Sequence, residues 1–348
     1  MPPHAPRFRV LGAALHAAFV GCVLLLAGCT PRTGESGGAG AGAGAGPAAG
    51  AGAIGSAAIA ADAVETGVAG HEVEVASDLG SGASVAMNSR LSPGCAAPTS
   101  PGVPERLLVR GQERLILSQA PDQPDAEPRD LVIAFHGRTN DAAQARRYFR
   151  LDEALPEAVI VYPQALRANP NAFAWGDPGD PADALRDFEL VDAIIDAFGR
   201  VRCIDLGRVF VVGHSLGAYF ANDVACNLGD RVRAVASVAG GLQGTDCIAG
   251  TAALLLHHPD DPLVPLSAGE HARDAFRAAN GVADAPGTPV AHPVLASLRC
   301  VRYGNDDAAH PVVWCAHDDA TSPGGRRDPH TWPAGTAASI AAFFQNLP

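Results

Sequence analysis

The chain has 348 residues and a formal net charge of −12, and all 25 of its basic residues are arginine. This length leaves room for one large α/β domain with additional segments. The acidic balance argues against a nucleic-acid partner, which requires a basic face, and against electrostatic attachment to anionic lipid. Because lysine is absent, a Schiff-base lysine, a Ser–Lys dyad and a Walker A phosphate loop are excluded.

Residues 1–28 have the pattern of an export signal. Arg7 and Arg9 precede an apolar stretch, Val10 to Ala27, and Leu-Ala-Gly then leads into Cys29. A basic region, an apolar region and small residues at the cleavage point are typical of a signal peptide. The cysteine after Leu-Ala-Gly resembles a bacterial lipoprotein signal. We therefore expect export, lipidation of Cys29 and anchoring to the outer membrane or cell surface; an ordinary signal peptide with secretion, or an uncleaved anchor, is the alternative.

Residues 29–92 are rich in glycine and alanine, and residues 38–46 simply alternate the two. Such a stretch buries too little apolar surface to fold, so we expect a disordered linker. The globular catalytic domain is expected over residues 93–348.

Without Cys22 and the lipidated Cys29, six cysteines remain: Cys95, Cys203, Cys226, Cys247, Cys300 and Cys315. An even number in an exported protein predicts three disulfides, with free buried thiols as the alternative. The sequence does not choose among the pairings. Cys300–Cys315 is the favoured pair, because the segments around these two residues indicate neighbouring strands.

Apolar runs alternate with helical patterns along the globular domain. Strands are expected at 106–110, 114–117, 131–135, 158–162, 209–212, 232–239, 252–257, 298–303 and 311–315. Helices are expected at 140–155, 183–198, 218–226, 267–281 and 336–347. Asn140 is the expected N-cap of the first helix, and Ser267 with Glu270 indicates a capping box for the fourth. The alternation predicts an α/β fold, a mainly parallel sheet with helices on both faces.

Residues 213–217 form Gly-His-Ser-Leu-Gly, a G-x-S-x-G sequence. A predicted strand precedes it and a predicted helix follows it, as a nucleophile elbow requires. The glycines let strand and helix approach closely, and the turn raises the serine hydroxyl above the sheet. Ser215 is therefore the candidate nucleophile; a glycine-rich turn that holds a serine by chance is the alternative.

The candidate acid and histidine follow the nucleophile in the order expected of an α/β-hydrolase. The acid should come after a late strand, where Asp261 lies, with Asp260 as its rival. The histidine should precede the last helix, where His330 lies. His310 and His317 are the alternatives to it.

The expected roles of the three residues follow from the proton transfers that ester hydrolysis requires. Ser215 attacks an ester carbonyl, and His330 takes its proton and returns it to the leaving alkoxide. Asp261 fixes the imidazole tautomer and stabilises the imidazolium. The expected oxyanion donors are the N–H groups of Leu216 and Arg138.

Other histidines near these motifs are expected to have structural roles. His214 lies inside the elbow and is expected to be a packing residue. A metal site from His257, His258 and the two following aspartates is disfavoured, because adjacent strand side chains point to opposite faces. No metal and no cofactor are expected.

With these residues placed, the chain from about Cys95 onwards resembles the polyhydroxybutyrate depolymerase and feruloyl esterase group of α/β-hydrolases. The resemblance rests on short motifs in the same order: Ala134-Phe135-His136-Gly137, Tyr162-Pro163-Gln164, Cys203-Ile204-Asp205, Val238-Ala239-Gly240-Gly241, Asp261-Pro262 and His330-Thr331-Trp332-Pro333. It implies the α/β-hydrolase fold, serine-dependent ester hydrolysis, and Ser215, Asp261 and His330 as the triad.

The resemblance also implies an acyl pocket lined by Trp332 and Trp175, with His136 as a further substrate-binding residue. A buried core tryptophan is the alternative for each indole. Short polyesters, hydroxycinnamoyl esters and acyl-sugar esters are the implied substrates, since no polymer-binding module follows the last predicted helix. A peptidase on the same fold and a non-catalytic surface lipoprotein that binds a small ligand are the competing hypotheses.

Overall fold

The structure, a computed structural model, describes residues 90–96, 102–122, 127–169, 172–176, 181–244, 247–248, 250–305, 308–322 and 325–348. The predicted signal peptide, Cys29 and the linker up to residue 89 lie outside these ranges. The described strands are β1 (Arg106–Val109), β2 (Gln112–Gln119), β3 (Arg129–Phe135), β4 (Val159–Pro163), β5 (Leu166–Asn169), β6 (Ala172–Ala174), β7 (Ile204–His214), β8 (Ala234–Val238), β9 (Ala252–His257), β10 (Thr288–Pro289), β11 (Cys300–Tyr303) and β12 (Val312–Ala316).

The helices connect and cover these strands. They are a 3₁₀ turn (Pro93–Ala96), α1 (Ala142–Phe149), α2 (Leu151–Ala154), α3 (Pro181–Val201), α4 (Leu216–Asn227), α5 (Leu266–Ala279), α6 (Pro293–Ser297) and α7 (Thr336–Gln345). Among the described helices, none combines the length and the apolar character that a membrane crossing requires.

Ten of the described strands form one sheet in the order β1-β2-β4-β3-β7-β8-β9-β12-β11-β10, and β5 pairs only with β6. The strands from β4 to β12 in this order are parallel, and both edges are antiparallel. β3 lies between β4 and β7. The chain therefore passes from β3 to β4 on one side of it and later returns to form β7 on the other side. This arrangement opens a crevice at the carboxyl ends of β3 and β7, where α/β sheets bind ligands. The predicted α/β-hydrolase fold is confirmed.

Alternate residues of the central strands enter two separate cores. Leu131 and Ile133 of β3 pack in a core with apolar residues of α3, α4 and α5. Val132 and Ala134 of the same strand pack in the other core, with residues of α1 and α7. Burial on both faces explains why the strand is apolar at consecutive positions, each large side chain contributing about 1.5–3 kcal/mol.

The N-cap of α1 is Asp141, so the prediction of Asn140 is wrong by one residue. The Asp141 carboxylate accepts the backbone N–H of Gln144 at 2.7 Å, and the Gln144 side chain accepts that of Asp141 at 2.9 Å. This reciprocal pair satisfies two N–H groups at once and fixes the start of the helix. The single predicted helix is also divided, because Arg150 adopts a left-handed φ of 53° between α1 and α2.

The predicted capping box of Ser267 and Glu270 is wrong. α5 begins at Leu266 with Pro265 as its N-cap, so Ser267 lies within the first turn. Pro265, with φ −63° and ψ 146°, is the extended residue before the helix and lies two positions before the predicted N-cap Ser267. The Glu270 carboxylate lies 3.6 Å from Arg273 instead.

Cys300 and Cys315 face each other across β11 and β12, and their disulfide confirms the predicted pair. The other disulfides are Cys95–Cys203 and Cys226–Cys247, which complete the three predicted. Disulfides persist in oxidising compartments, so they are consistent with export.

Candidate active site

Ser215 stands between β7 and α4 with a φ of 56° and a ψ of −125°. A positive φ is uncommon for serine and persists only where the surrounding structure fixes it. The flanking glycines make this turn possible. A Cβ on Gly213 would lie 2.1 Å from the Gly217 carbonyl oxygen, and a Cβ on Gly217 would lie 2.1 Å from that of Phe135. The strand–turn–helix context predicted for the elbow is therefore present.

Three side chains from separate parts of the chain meet at this turn. His330 Nε2 lies 2.8 Å from Ser215 Oγ, and His330 Nδ1 lies 2.7 Å from Asp261 Oδ2. Asp261 follows β9, and His330 lies in the loop before α7. An ionised carboxylate accepts only, so Nδ1 carries a proton and Nε2 of the neutral ring is left to accept from the serine hydroxyl.

The Asp261 carboxylate is buried and accepts hydrogen bonds on both oxygens. Its Oδ1 accepts the backbone N–H of Leu263 at 2.8 Å and of Val264 at 2.9 Å. Burial alone would raise the pKa of Asp261. The hydrogen bonds from His330 and from these two N–H groups outweigh burial and hold that pKa below its usual value. Asp261 is therefore an anion at neutral pH, facing the imidazole.

The rival candidates lie elsewhere. Asp260 exposes 73% of its side chain. His317 is buried with Nδ1 3.1 Å from the Asp319 carbonyl oxygen, and the His310 ring packs beside Gly250. In the part of the chain that the structure describes, none of the three contacts the nucleophile.

His257 and His258 make separate contacts in the turn that presents Asp261. The Nε2–H of His257 donates to the Val264 carbonyl at 3.0 Å, and His258 Nδ1 accepts the backbone N–H of Asp260 at 2.9 Å. No group of three or more His, Cys, Asp or Glu side chains among the described residues is arranged to hold a metal ion. The two histidines thus shape the loop after β9.

The two predicted oxyanion donors belong to residues close to Ser215, one next to it in the chain and the other in the turn after β3. Leu216 is the first residue of α4, so its N–H has no intrahelical acceptor. Arg138 follows Gly137, where an added Cβ would lie only 3.4 Å from the Ser215 Cβ. Neither N–H has an acceptor among the described residues. Two free donors beside a hydroxyl, one at the positive end of a helix, suit a developing negative charge.

His136 is buried beneath this turn and uses all of its polar atoms. Its Nε2 accepts the backbone N–H of Ala165 at 3.1 Å and the Gln164 amide at 3.0 Å, so Nδ1 carries the proton and donates to the Gly137 carbonyl. Burial lowers the pKa of His136, which keeps the ring neutral. The Trp175 indole N–H donates to the His136 carbonyl at 2.8 Å. These contacts hold the main chain of the turn after β3.

Behind Trp175 lies a buried ion pair that sequence reasoning missed. Arg114 Nη1 is 2.6 Å from Asp187 Oδ1, and the two side chains are 1% and 0% exposed. Asp187 Oδ2 accepts the Gly176 N–H at 2.5 Å, and Arg114 Nη2 donates to the Gln164 carbonyl at 3.3 Å. The pair therefore joins β2 and α3 to the segments around Gln164 and Gly176, which contain the hydrogen-bond partners of His136. The only sequence signal was a charge within an otherwise apolar helical face.

Trp332 lies two residues after His330 and stacks on Phe149 with ring centroids 4.1 Å apart. It is buried, but its edge lines a groove of about 830 Å³. Aromatic and polar side chains line the groove, among them Tyr148, Phe149, Trp332, Asn140, Gln144, Arg147, Thr321 and Ser322. Ser215, Asp261 and His330 are not among its lining residues. Trp175 is buried against Phe220 and is not among the residues that line this groove.

His214, predicted to be a packing residue, is buried with its ring centroid 5.2 Å from that of His330. It also contacts Tyr148, a residue that sequence reasoning did not select. Its two ring nitrogens also make polar contacts, with Tyr148 and with the His330 carbonyl.

No protein-family profile matches the chain. Feruloyl esterase C of Emericella nidulans is 28% identical over 255 residues, which cover 69% of this chain and 87% of the relative. A probable feruloyl esterase C of Aspergillus terreus is 30% identical over 198 residues, 54% of this chain and 68% of the relative. Poly(3-hydroxyalkanoate) depolymerase C of Paucimonas lemoignei is 30% identical over 156 residues, 43% of this chain and 37% of the relative.

Proposed function

Since this chain belongs to the feruloyl esterase family and is a carboxylic-ester hydrolase, we propose that it acts through an acyl-enzyme on Ser215. The observation that carries this proposal is the unbroken line of hydrogen bonds from Ser215 Oγ through the His330 ring to Asp261, at 2.8 and 2.7 Å. The buried, ionised carboxylate keeps the ring in the tautomer whose free nitrogen faces the serine.

The reaction then proceeds in two halves. As Ser215 Oγ bonds to the ester carbonyl carbon, its proton passes to His330 Nε2. The bond from carbon to the alcohol oxygen breaks, and that oxygen takes the proton. A water molecule next gives its proton to the same nitrogen and attacks the acyl-enzyme, and Ser215 is released with its proton restored. Asp261 stays ionised throughout and stabilises the imidazolium.

The oxyanion formed in each half is held by the N–H groups of Leu216 and Arg138. Both donors are free of other acceptors in the described structure, and both are backbone groups that need no reorganisation. Removing one donor of this kind typically costs about 10²–10³ in rate.

The substrates are hydroxycinnamoyl esters, short polyesters or acyl-sugar esters. The similarity to a feruloyl esterase and to a poly(3-hydroxyalkanoate) depolymerase supports the first two of these classes. Trp332 contributes from its place two residues after His330, next to the base; the groove of about 830 Å³ that it also lines has none of the triad residues in its wall. Trp175 and His136 contribute from beneath the turn, by shaping the position of Arg138.

The decisive experiment measures turnover of p-nitrophenyl butyrate, methyl ferulate and a 3-hydroxybutyrate trimer by the full chain. Ser215→Ala is expected to lose about 10⁶ in kcat, and a fluorophosphonate probe should label the wild-type chain at Ser215. Ser267→Ala, at an exposed position on α5, is the matched control and should keep full activity. Turnover by Ser215→Ala at the wild-type rate would overturn the proposal.

Cys29 carries the lipid that anchors the exported enzyme to the outer membrane or cell surface. The Leu-Ala-Gly sequence before Cys29 supports this assignment, and several acyl chains on one residue bind a membrane stably. Bacterial cells that express the full chain and are fed an alkyne fatty acid should label it. Cys29→Ser should abolish the label, whereas Cys22→Ser should retain it; a labelled Cys29→Ser chain would contradict the anchor.

A further inference from the structure

His214, the residue before the nucleophile, makes a hydrogen bond to the residue that serves as base. Its Nε2 lies 2.9 Å from the His330 carbonyl oxygen. A carbonyl oxygen accepts only, so His214 Nε2 carries a proton and donates it. Burial, and next the neighbouring His330 ring, lower the pKa of His214 to about 4. The ring is therefore neutral at pH 7, with Nδ1 unprotonated.

Tyr148 satisfies that second nitrogen. Its hydroxyl oxygen lies 3.3 Å from His214 Nδ1, which accepts the Tyr148 O–H. The Asn140 side chain and the Gly137 backbone lie near the Tyr148 hydroxyl. A line of hydrogen bonds thus runs from Tyr148 of α1 through His214 to the His330 carbonyl. It joins the helix that follows the turn with the oxyanion donor to the loop that offers the base.

The loop that carries His330 has few other attachments at this point. The His330 N–H donates to Asp328 Oδ1 at 3.1 Å, a contact within the same loop. Asp261 holds the ring but not the main chain. Among the described residues, the His214 contact is thus the hydrogen bond that ties the His330 backbone to the elbow itself.

From this geometry we infer that His214 is a positioning residue, which holds the His330 backbone so that the imidazole spans Asp261 and Ser215. The inference rests on the proposed function, because it assigns a support to the base of that mechanism. A loss of one such contact displaces the base, and displacements near 1 Å cost about 10²-fold in rate. Substrate binding does not use the contact, so KM should not change.

The test compares His214→Phe and His214→Gln in the full chain, with kcat and KM for p-nitrophenyl butyrate. Phenylalanine keeps the ring volume but cannot donate, and we expect kcat to fall about 10- to 100-fold with KM within about 2-fold. Glutamine restores an N–H donor and should recover kcat to within about 5-fold of wild type. Tyr148→Phe removes only the supporting hydroxyl and should lower kcat about 3-fold.

His317→Phe is the matched control, because His317 is also buried and bonds to a backbone carbonyl away from the nucleophile. It should leave kcat within about 2-fold of wild type. A His214→Phe chain with wild-type kcat would overturn the inference, as would equal losses in the Phe and Gln variants. If His214→Phe does not fold, the Tyr148→Phe result decides, and an unchanged kcat there refutes the inference. Wild-type turnover by Ser215→Ala would instead refute the proposed function.

Discussion

The two sides of Ser215 are built in different ways. On one side, the Asp261 and His330 side chains come from separate loops and meet through side-chain hydrogen bonds of 2.7 and 2.8 Å. On the other, the turn after β3 offers main-chain N–H groups, and the side chains of His136 and Trp175 point inwards to hold it. The first side depends on which side chains are present, the second on where the backbone lies.

This difference predicts unequal responses to substitution. On the side-chain side, an isosteric change should remove chemistry and leave the fold intact. On the backbone side, activity and stability should fall together, because the same contacts set both. The predictions that follow test this separation in order of their expected effect on activity.

Asp261→Asn should lower kcat by about 10⁴-fold with little change in melting temperature. An amide in this place no longer enforces the ring tautomer that leaves Nε2 free to accept the serine proton. The measurement is kcat for p-nitrophenyl butyrate, with the melting temperature from calorimetry. Asp260→Asn is the control, since that side chain is 73% exposed, and it should stay within about 2-fold of wild type. Comparable losses in the two variants would contradict the separation.

Gly217→Ala should lower kcat about 100-fold and also destabilise the protein by about 3 kcal/mol. The new Cβ would lie 2.1 Å from the Phe135 carbonyl oxygen, so the end of β3 and the turn after it must shift. Urea unfolding and kcat should be measured together. The control is Gly244→Ala, because a Cβ there has nothing within 4 Å. A stable Gly217→Ala chain with full activity would show that the elbow tolerates displacement.

Trp175→Phe should lower kcat about 10-fold and the free energy of unfolding by about 1 kcal/mol. Phenylalanine preserves the stacking on Phe220 but removes the N–H that donates to the His136 carbonyl at 2.8 Å. Trp314→Phe is the matched control. Trp314 is similarly buried, at 6% against 5% exposure, and its indole N–H bonds to none of the described residues. If both variants keep full activity, the indole hydrogen bond does not position the turn.

Short-range patterns explain what could be predicted from the sequence. The elbow at 213–217 is five consecutive residues, and the candidates Asp261 and His330 required only their places after a strand and before a helix. Cys300–Cys315 was predicted because the segments around the two cysteines indicate neighbouring strands, whereas Cys95–Cys203, 108 residues apart, carried no local sign. Periodicity and spacing act over a few turns of chain, which is the range of these predictions.

The supports of the site depend on contacts that no local pattern records. Arg114 and Asp187 are 73 positions apart, and Tyr148 and His214 are 66 apart. Taken alone, Arg114 and Asp187 are typical of a surface strand and a surface helix, and His214 was expected only to pack. The β5–β6 hairpin was not predicted either, because Leu166–Asn169 has no apolar alternation and pairs only locally. The sequence therefore indicated the candidate reacting residues, and the fold was needed to find what holds them.

The smallest expected effect on activity comes from His317, outside both sides of the site. Burial, and next the neighbouring His258 ring, lower its pKa from 6.5 to about 4; the Asp319 carboxylate and the His257 ring also face it. Because the folded-state pKa is depressed, this ring's contribution to stability is complete above the unfolded value of 6.5. It is lost as the pH falls towards 4, by about 3 kcal/mol in total.

His317→Gln should therefore flatten the decline in unfolding free energy between pH 7 and pH 4.5, measured by urea titration, while kcat at pH 7.5 stays within about 2-fold. His271→Gln, at an exposed ring, should leave the slope unchanged. His214 has the same lowered pKa, about 4, and so should contribute a similar slope. The two histidines then differ only in catalysis, because His214 contacts the backbone of the base and His317 does not. A wild-type pH slope in His317→Gln would mean that the ring is already protonated in the folded protein.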